Sequence, residues 1–279
     1  MSIKINCELP LYLLDKNNEL NEYDFVLFHL YQSNQKYREY FLNQRKKYPG
    51  RLMIFDNSAY EFFIKGETLD TKKYTEAICE LKPDIYILPD VLMDRNKTIE
   101  LTSDFMCSYY DEICLKTEFL SKPMAVIQGD SETEFIKMMK FYKLMGIKNI
   151  AIPFHNSFLK KIGEQFPEKH IFYNTYGRIT EDILYALGRI KFIQDHGQIL
   201  NQWFEHVHIL GSHCPLEKVY YKNFNTMDTG YPVKCGIKGI TLGYEPEKPD
   251  VIIDEFLEKE LDKNIQDCII NNVTIFKNL

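Results

Sequence analysis

Short apolar runs alternate with longer amphipathic stretches along the whole chain. The short runs are mostly β-branched or aromatic and are bounded by Gly, Pro, Asp or Asn, the pattern of buried strands. They cover residues 25–29, 51–55, 85–88, 124–127, 149–152, 171–173, 206–210 and, in a shorter form, 226–227. Between them, residues 35–47, 71–81, 95–117, 131–144, 180–194 and 250–271 read as helices. Asp70 stands as an N-cap for the second of these. In the SETE stretch Ser131 is the cap and Glu134 the third residue after it, a capping-box spacing. Strands that alternate with helices imply parallel pairing with right-handed crossovers. Eight such strands favour a single (β/α)8 barrel over residues 1–279, with an open doubly wound sheet as the second choice.

The 279-residue length suits that fold, which typically takes about 250 residues, and 45% hydrophobic residues can fill its core. No repeat, linker or low-complexity segment interrupts the pattern. The formal net charge of −6 argues against a sequence-independent nucleic-acid coat and requires any phosphate-binding surface to be local. Lys218, Lys222, Lys234 and Lys238 form one such candidate group, with ordinary solvated lysines as the alternative. The seven cysteines are dispersed without a CxxC pair. The N-terminal MSIKINCELP has no apolar core of a signal peptide, and no apolar run reaches the roughly 20 residues of a membrane helix. A reduced, cytoplasmic, soluble protein without membrane association is expected.

The residues that close the strands are unusually polar: His29, Asp56, Asp90, Gln128 with Gly129, Pro153, Asn174, Gly211 and Asp228. Turn chemistry alone favours Asp, Asn and Gly at such positions. In a (β/α)8 barrel, however, the C-terminal strand ends converge on one mouth, so Asp56, Asp90 and Asp228 are expected to meet there. Grouped carboxylates are the usual equipment for glycosyl transfer. His206 and His208 alternate along a strand and share a face, but the sequence offers no clear third ligand, so a structural role is favoured over a metal. The same test applied to His155, His196 and His213 leaves His213, in the loop after Gly211, as a candidate contact to phosphate or sugar.

Five segments carry a resemblance. FDNSAYEF resembles the Asp-Ser-Gly-Gly-Tyr/Phe-Gln segment of the tRNA-guanine transglycosylases. PDIYILPD resembles their Ser-Asp-Ile…Asp segment, MAVIQGD their Ile-Val-Gln-Gly strand, and HILGSHCPLE their Leu-Met-Gly-Val-Gly-x-Pro turn. MDTGYPVK resembles Phe-Asp-Cys-Val-x-Pro-Thr-Arg. The segments occur in the family's order, from Asp56 to Lys234. The resemblance implies a (β/α)8 barrel and base exchange, with Asp228 as nucleophile, Asp56 as general acid/base and Asp90 as the carboxylate that reads the guanine edge. It also implies that Gln128 and Gly129 lie beside the base carbonyl, that Tyr60 and Leu210 sandwich the purine, and that Gly211 adjoins the slot.

The chemistry of these residue types is consistent with that assignment. A carboxylate opposite the base traps an oxocarbenium-like sugar, a second manages the leaving base's proton, and a third accepts from the N1–H and 2-amino fork of guanine. No metal or other cofactor is needed for this set. The departures concern the polymer. The Cys-x-Cys-x-x-Cys…His zinc site is missing, since only Cys235 and Cys268 follow Asp228. Ser58-Ala59 replaces the paired glycines, IAIPFHNS the Gly-Gly-Leu stretch, and Val233-Lys234 the Thr-Arg. A short chain without the zinc subdomain is more similar to the DNA 7-deazaguanine transglycosylases of phages and genomic islands. DNA and a 7-deazaguanine-type free base are therefore the expected partners. A tRNA-acting enzyme without zinc and a catalytically silent nucleic-acid-binding or partner subunit are the alternatives. A homodimer is compatible with the chain.

Overall fold

In a computed structural model, residues 2–212, 214–243, 249, 251–256 and 258–279 are described. Eight strands form the sheet: β1 (Lys4–Cys7), β2 (Asp24–Leu27), β3 (Met53–Asp56), β4 (Ile85–Ile87), β5 (Lys122–Val126), β6 (Asn149–Ile152), β7 (His206–Ile209) and β8 (Thr226–Thr229). Their order is β1-β8-β7-β6-β5-β4-β3-β2, with parallel pairing and helices between successive strands. This is the (β/α)8 class that the alternation in the sequence predicts. The chain groups into two compact units, Tyr23–Ile152 with Trp203–His206, and Met1–Glu22 with Pro153–Gln202 and Val207–Leu279.

In the first of these units the strands are buried on both faces, as parallel strands covered by helices must be. Met53, Ile54, Phe55, Tyr86 and Ile87 are almost inaccessible. The helix Thr71–Leu81 begins at the expected cap, with Asp70 Oδ1 accepting from Lys73 N at 3.1 Å. It buries Tyr74 against Phe28 and Phe55. The Tyr74 hydroxyl lies 3.0 Å from the Phe55 carbonyl and 2.8 Å from that of Ile87, and so ties together the ends of β3 and β4. Ser131 caps the helix Glu132–Leu144 through Glu134 N, as expected, but Glu134 returns its carboxylate to Asp130 N rather than to the cap.

The second unit contains β1, which the sequence pattern misses. Its segment is four residues long and carries a polar, buried Asn6 at its centre, so the apolar signal is weak. Beside it, Asn21 and Glu22 serve backbone groups that would otherwise lack a ladder partner. Ile5 N donates to Glu22 Oε2 at 2.8 Å, Cys7 N donates to Asn21 Oδ1 at 2.7 Å, and Asn21 Nδ2 donates to Cys7 O at 2.9 Å.

The strand expected at 171–173 is instead part of the helix Lys169–Tyr176. Phe172 and Tyr176, four residues apart, are buried, while Ile171 and Tyr173 are 41% and 55% exposed. That period is helical, and a three-residue apolar run is too short to distinguish it from a strand. Asn174 is consequently a helical residue, and His29 lies in the helix Phe28–Ser33 rather than at a strand end. The helix expected at 250–271 starts later, at Lys263, where Asp262 accepts from Asn264 N and Ile265 N, and it runs to Asn278. Asp250 lies outside the described residues. The helix expected at 180–194 extends from Glu181 to Trp203.

Two close helix contacts in this unit depend on glycine. A Cβ on Gly188 would stand 1.7 Å from the Leu159 carbonyl oxygen, and one on Gly236 would stand 2.6 Å from Ile269 Cα. The second contact seats the helix Tyr231–Ile237, which directly follows β8, on the C-terminal helix. Asn272 reinforces it: Nδ2 donates to Ile240 O at 2.8 Å and Oδ1 accepts from Leu242 N at 2.7 Å.

Candidate active-site residues

Asp56 is the last residue of β3, and the turn after it is built by local side-chain bonds. Its Oδ2 accepts from Ser58 N at 2.7 Å. Asn57 forms an equivalent turn, Oδ1 accepting from Ala59 N at 2.8 Å. Ser58 is held at φ 59°, a left-handed conformation that glycine adopts without steric cost and other residues do not. Here the strain is stabilised by the serine hydroxyl, which accepts from His29 N at 3.1 Å and lies 2.9 Å from His29 Nδ1.

The same turn reaches Asp90. Asn57 Nδ2 donates to Leu88 O at 2.7 Å and to Asp90 Oδ1 at 2.9 Å. On the other side, Gln128 Nε2 donates to Asp90 Oδ2 at 2.8 Å. The orientation of the Gln128 carboxamide is fixed, because its Oε1 accepts from Met93 N at 2.9 Å. Each Asp90 oxygen thus holds one donor and keeps lone-pair capacity, and Gln128 retains a second N–H. Desolvation by burial raises the Asp90 pKa above the ordinary carboxylate value, and the donors Asn57 and Gln128 pull in the opposite direction. Gly129 follows at φ 156°, where a Cβ would stand 2.9 Å from Glu134 Cβ. Asp90 and Gln128 are therefore brought together as the sequence implies, and Asn57 is an additional member. Tyr60 is 42% exposed on the first turn of the helix Ala59–Lys65.

Asp228 lies on β8, nine-tenths buried. Thr226 and Asp228 alternate onto one face of β8, and the register pairs Thr226 with His208 of β7. His208 sits between them, with Nδ1 2.8 Å from Thr226 Oγ1 and Nε2 3.0 Å from Asp228 Oδ1. A carboxylate oxygen only accepts, so His208 Nε2 is the donor in its contact with Asp228. Gly211 N donates to the same Asp228 Oδ1 at 2.9 Å, from a glycine at φ 60°. Among the described residues, no hydrogen bond reaches Asp228 Oδ2. The role of His208 is absent from the sequence-based site. The signal for it is the shared-face alternation of HVHI set against TMD. Leu210 is half-buried.

The four candidate lysines separate. Lys222 and Lys238 are exposed and Lys234 is half-buried. Lys218 is buried, and its ammonium donates to the carbonyls of Phe276, at 3.2 Å, and Lys277. It neutralises the C-terminal end of the last helix, and desolvation lowers its pKa. That placement removes it from an exposed phosphate-binding group. His155 packs edge-on against Phe154 and Tyr185, and His196 packs on Phe192. His213 lies outside the described residues. Among the described residues, no group of three or more His, Cys, Asp or Glu is arranged to hold a metal ion, and no helix is long and apolar enough to cross a membrane.

No protein-family model matches the chain. A search of curated proteins likewise finds no match. What is shown is the (β/α)8 class, with hydrogen-bonded carboxylates of Asp56, Asp90 and Asp228 on or just after its strands.

Proposed function

We propose that the chain is a base-exchange transglycosylase that replaces guanine in DNA with a 7-deazaguanine derivative through a covalent Asp228–sugar intermediate. The observation that carries this reading is the asymmetry of the Asp228 carboxylate. Two donors fix one oxygen, which orients the group, while no described residue bonds to the other. That second oxygen is not among the buried unpartnered atoms, so it is accessible to a reacting group. In the proposed first step an Asp228 oxygen attacks the sugar C1′, and the C1′–N9 pair leaves with guanine, which takes a proton from Asp56. In the second, Asp56 accepts the N9 proton of the incoming base, N9 attacks C1′, and the bond to Asp228 breaks. Asp90 and Gln128 supply the acceptor and donor character that a guanine-type edge requires.

DNA is favoured over tRNA because the zinc-site spacing is absent from the sequence. The test is incorporation of labelled guanine or a 7-deazaguanine base into duplex DNA, single-stranded DNA and tRNA. Exchange into DNA supports the reading. Exchange into tRNA alone replaces the substrate, and polymer binding without any exchange points to a silent subunit.

A further inference from the structure

Arg189 is fully buried in the middle of the helix Glu181–Trp203, yet no step above uses it. Each nitrogen of its guanidinium donates a hydrogen bond. Nε donates to Glu217 Oε1 at 2.7 Å, and the terminal nitrogens donate to the carbonyls of Leu210 and Gly211 at 2.7 Å each. The Phe154 ring lies beneath it, 4.8 Å from Cζ to the centroid. Burial works most strongly against the charge, but Glu217 and Tyr221 together more than offset it, so the pKa remains above the ordinary value. Glu217 is held in turn by the hydroxyls of Tyr221 and Ser212, the latter at 2.9 Å. A buried ion pair of this kind is poor evidence for stability, because desolvation consumes most of its attraction. A planar fork that grips two successive carbonyls fixes the orientation of the peptides it holds.

We infer that Arg189, braced by Glu217, is a positioning residue for Asp228. By holding the Leu210 and Gly211 carbonyls, it fixes the left-handed Gly211 so that its N–H points at Asp228 Oδ1. Its effect on catalysis rests on the base-exchange reading; its effect on Gly211 does not. Thr229 Oγ1 donates to Ser212 O at 2.7 Å and anchors the far side of the same loop to β8. A lysine at position 189 keeps a positive charge for Glu217 but cannot grip both carbonyls, so it separates orientation from charge balance.

The test uses the full chain labelled with ¹⁵N-glycine and ¹³C-leucine, which selects the three glycines that follow leucine, Gly188, Gly211 and Gly243, and L210M, which breaks the pair at Gly211 alone, assigns its amide. In the wild type this resonance should lie downfield, and D228N should move it upfield. R189K should move it the same way, with circular dichroism unchanged. E217Q, which keeps the acceptor but loses the charge, should move it less and serves as the decisive variant if R189K does not fold. In the exchange assay R189K should lower kcat by about tenfold to a hundredfold, the range for a misplaced catalytic group, with polymer Kd unchanged. A Gly211 resonance unmoved by D228N, or by whichever of R189K and E217Q folds, overturns the inference. A shifted resonance with undiminished exchange leaves Arg189 a structural strut alone. Absence of exchange in the wild type, with the resonance shifts intact, refutes the transglycosylase reading and not the strut.

Discussion

Replacing Asp228 with asparagine tests the proposed chemistry with little disturbance of the fold. The donors Gly211 N and His208 Nε2 both meet Oδ1, so the asparagine carbonyl oxygen must occupy that position. The reverse orientation would set an NH2 against two N–H groups. The amide nitrogen then replaces Oδ2 and has no lone pair suited to attack. Hydrogen bonds to a charged acceptor contribute about 1.5–3 kcal/mol and neutral ones about 0.5–1.5, so two weakened bonds cost about 2–3 kcal/mol. Burying a neutral amide instead of a charge offsets part of that cost. A Tm change below about 12 °C follows for a chain of this size. Loss of the nucleophile should reduce exchange by more than about 10⁴-fold, as removal of catalytic nucleophiles does elsewhere. The assay is a denaturing gel with labelled DNA, run without incoming base so that the adduct accumulates, followed by peptide mapping. Wild-type protein should give an adduct on Asp228, and D228N should give none while DNA binding is retained. Exchange by D228N within tenfold of wild type, or an adduct mapped to Asp56 or Asp90, refutes the assignment.

Asp90→Ala should weaken binding of the free base by about tenfold to a hundredfold, one charged hydrogen bond of about 1.5–3 kcal/mol; calorimetry showing unchanged affinity would remove Asp90 from the base edge. Because the folded-state Asp90 pKa is raised, the native protein retains this proton where the unfolded chain has lost it, so this group's contribution to stability falls as pH rises from the ordinary carboxylate value through the raised one. Over the same window base affinity should rise, since only the ionised form accepts from both guanine donors; Asp90→Asn should abolish the stability slope, and an unchanged slope in denaturant titrations would assign it to another group. Changing Lys222, Lys234 and Lys238 together to glutamine should lower the slope of log binding constant against log salt by about 2–2.7 units if all three contact phosphates; an unaltered slope places the DNA elsewhere. Gly188→Ala should destabilise the protein by about 1–3 kcal/mol, the usual range for overpacking, because the added methyl meets the Leu159 carbonyl and not a movable side chain; a denaturation midpoint equal to wild type would show that the two helices separate freely.

The sequence makes the fold class legible because parallel strands buried on both faces leave short apolar runs, and seven of the eight observed strands overlap such a run. The exceptions have local causes. β1 carries a buried Asn6 where an apolar residue is expected, and residues 171–173 are too few to distinguish period 2 from period 4. Among the candidate residues, chemistry that depends on a residue's own place in a strand is readable: Asp56 and Asp228 lie on their strands, and Asp90 and Gln128 lie just beyond theirs. What supports them is not readable in the same way. His208 meets Asp228 only through the β7–β8 register, and Arg189 reaches Gly211 from a helix 22 residues away in sequence. Lys218 illustrates the converse. Sequence proximity to Asp228 suggested a surface role, yet its ammonium is taken up by carbonyls 58 and 59 residues further along the chain. Charge in a sequence is visible, whereas the direction of a long side chain is set by which unsatisfied backbone groups the fold brings within reach. The loop after β7 combines both cases. Its Gly211 is recognisable as a turn residue, but its function depends on the carboxylate on one side and the guanidinium on the other. An Arg189 variant is therefore the sharper probe of whether this loop was selected for folding or for holding Asp228.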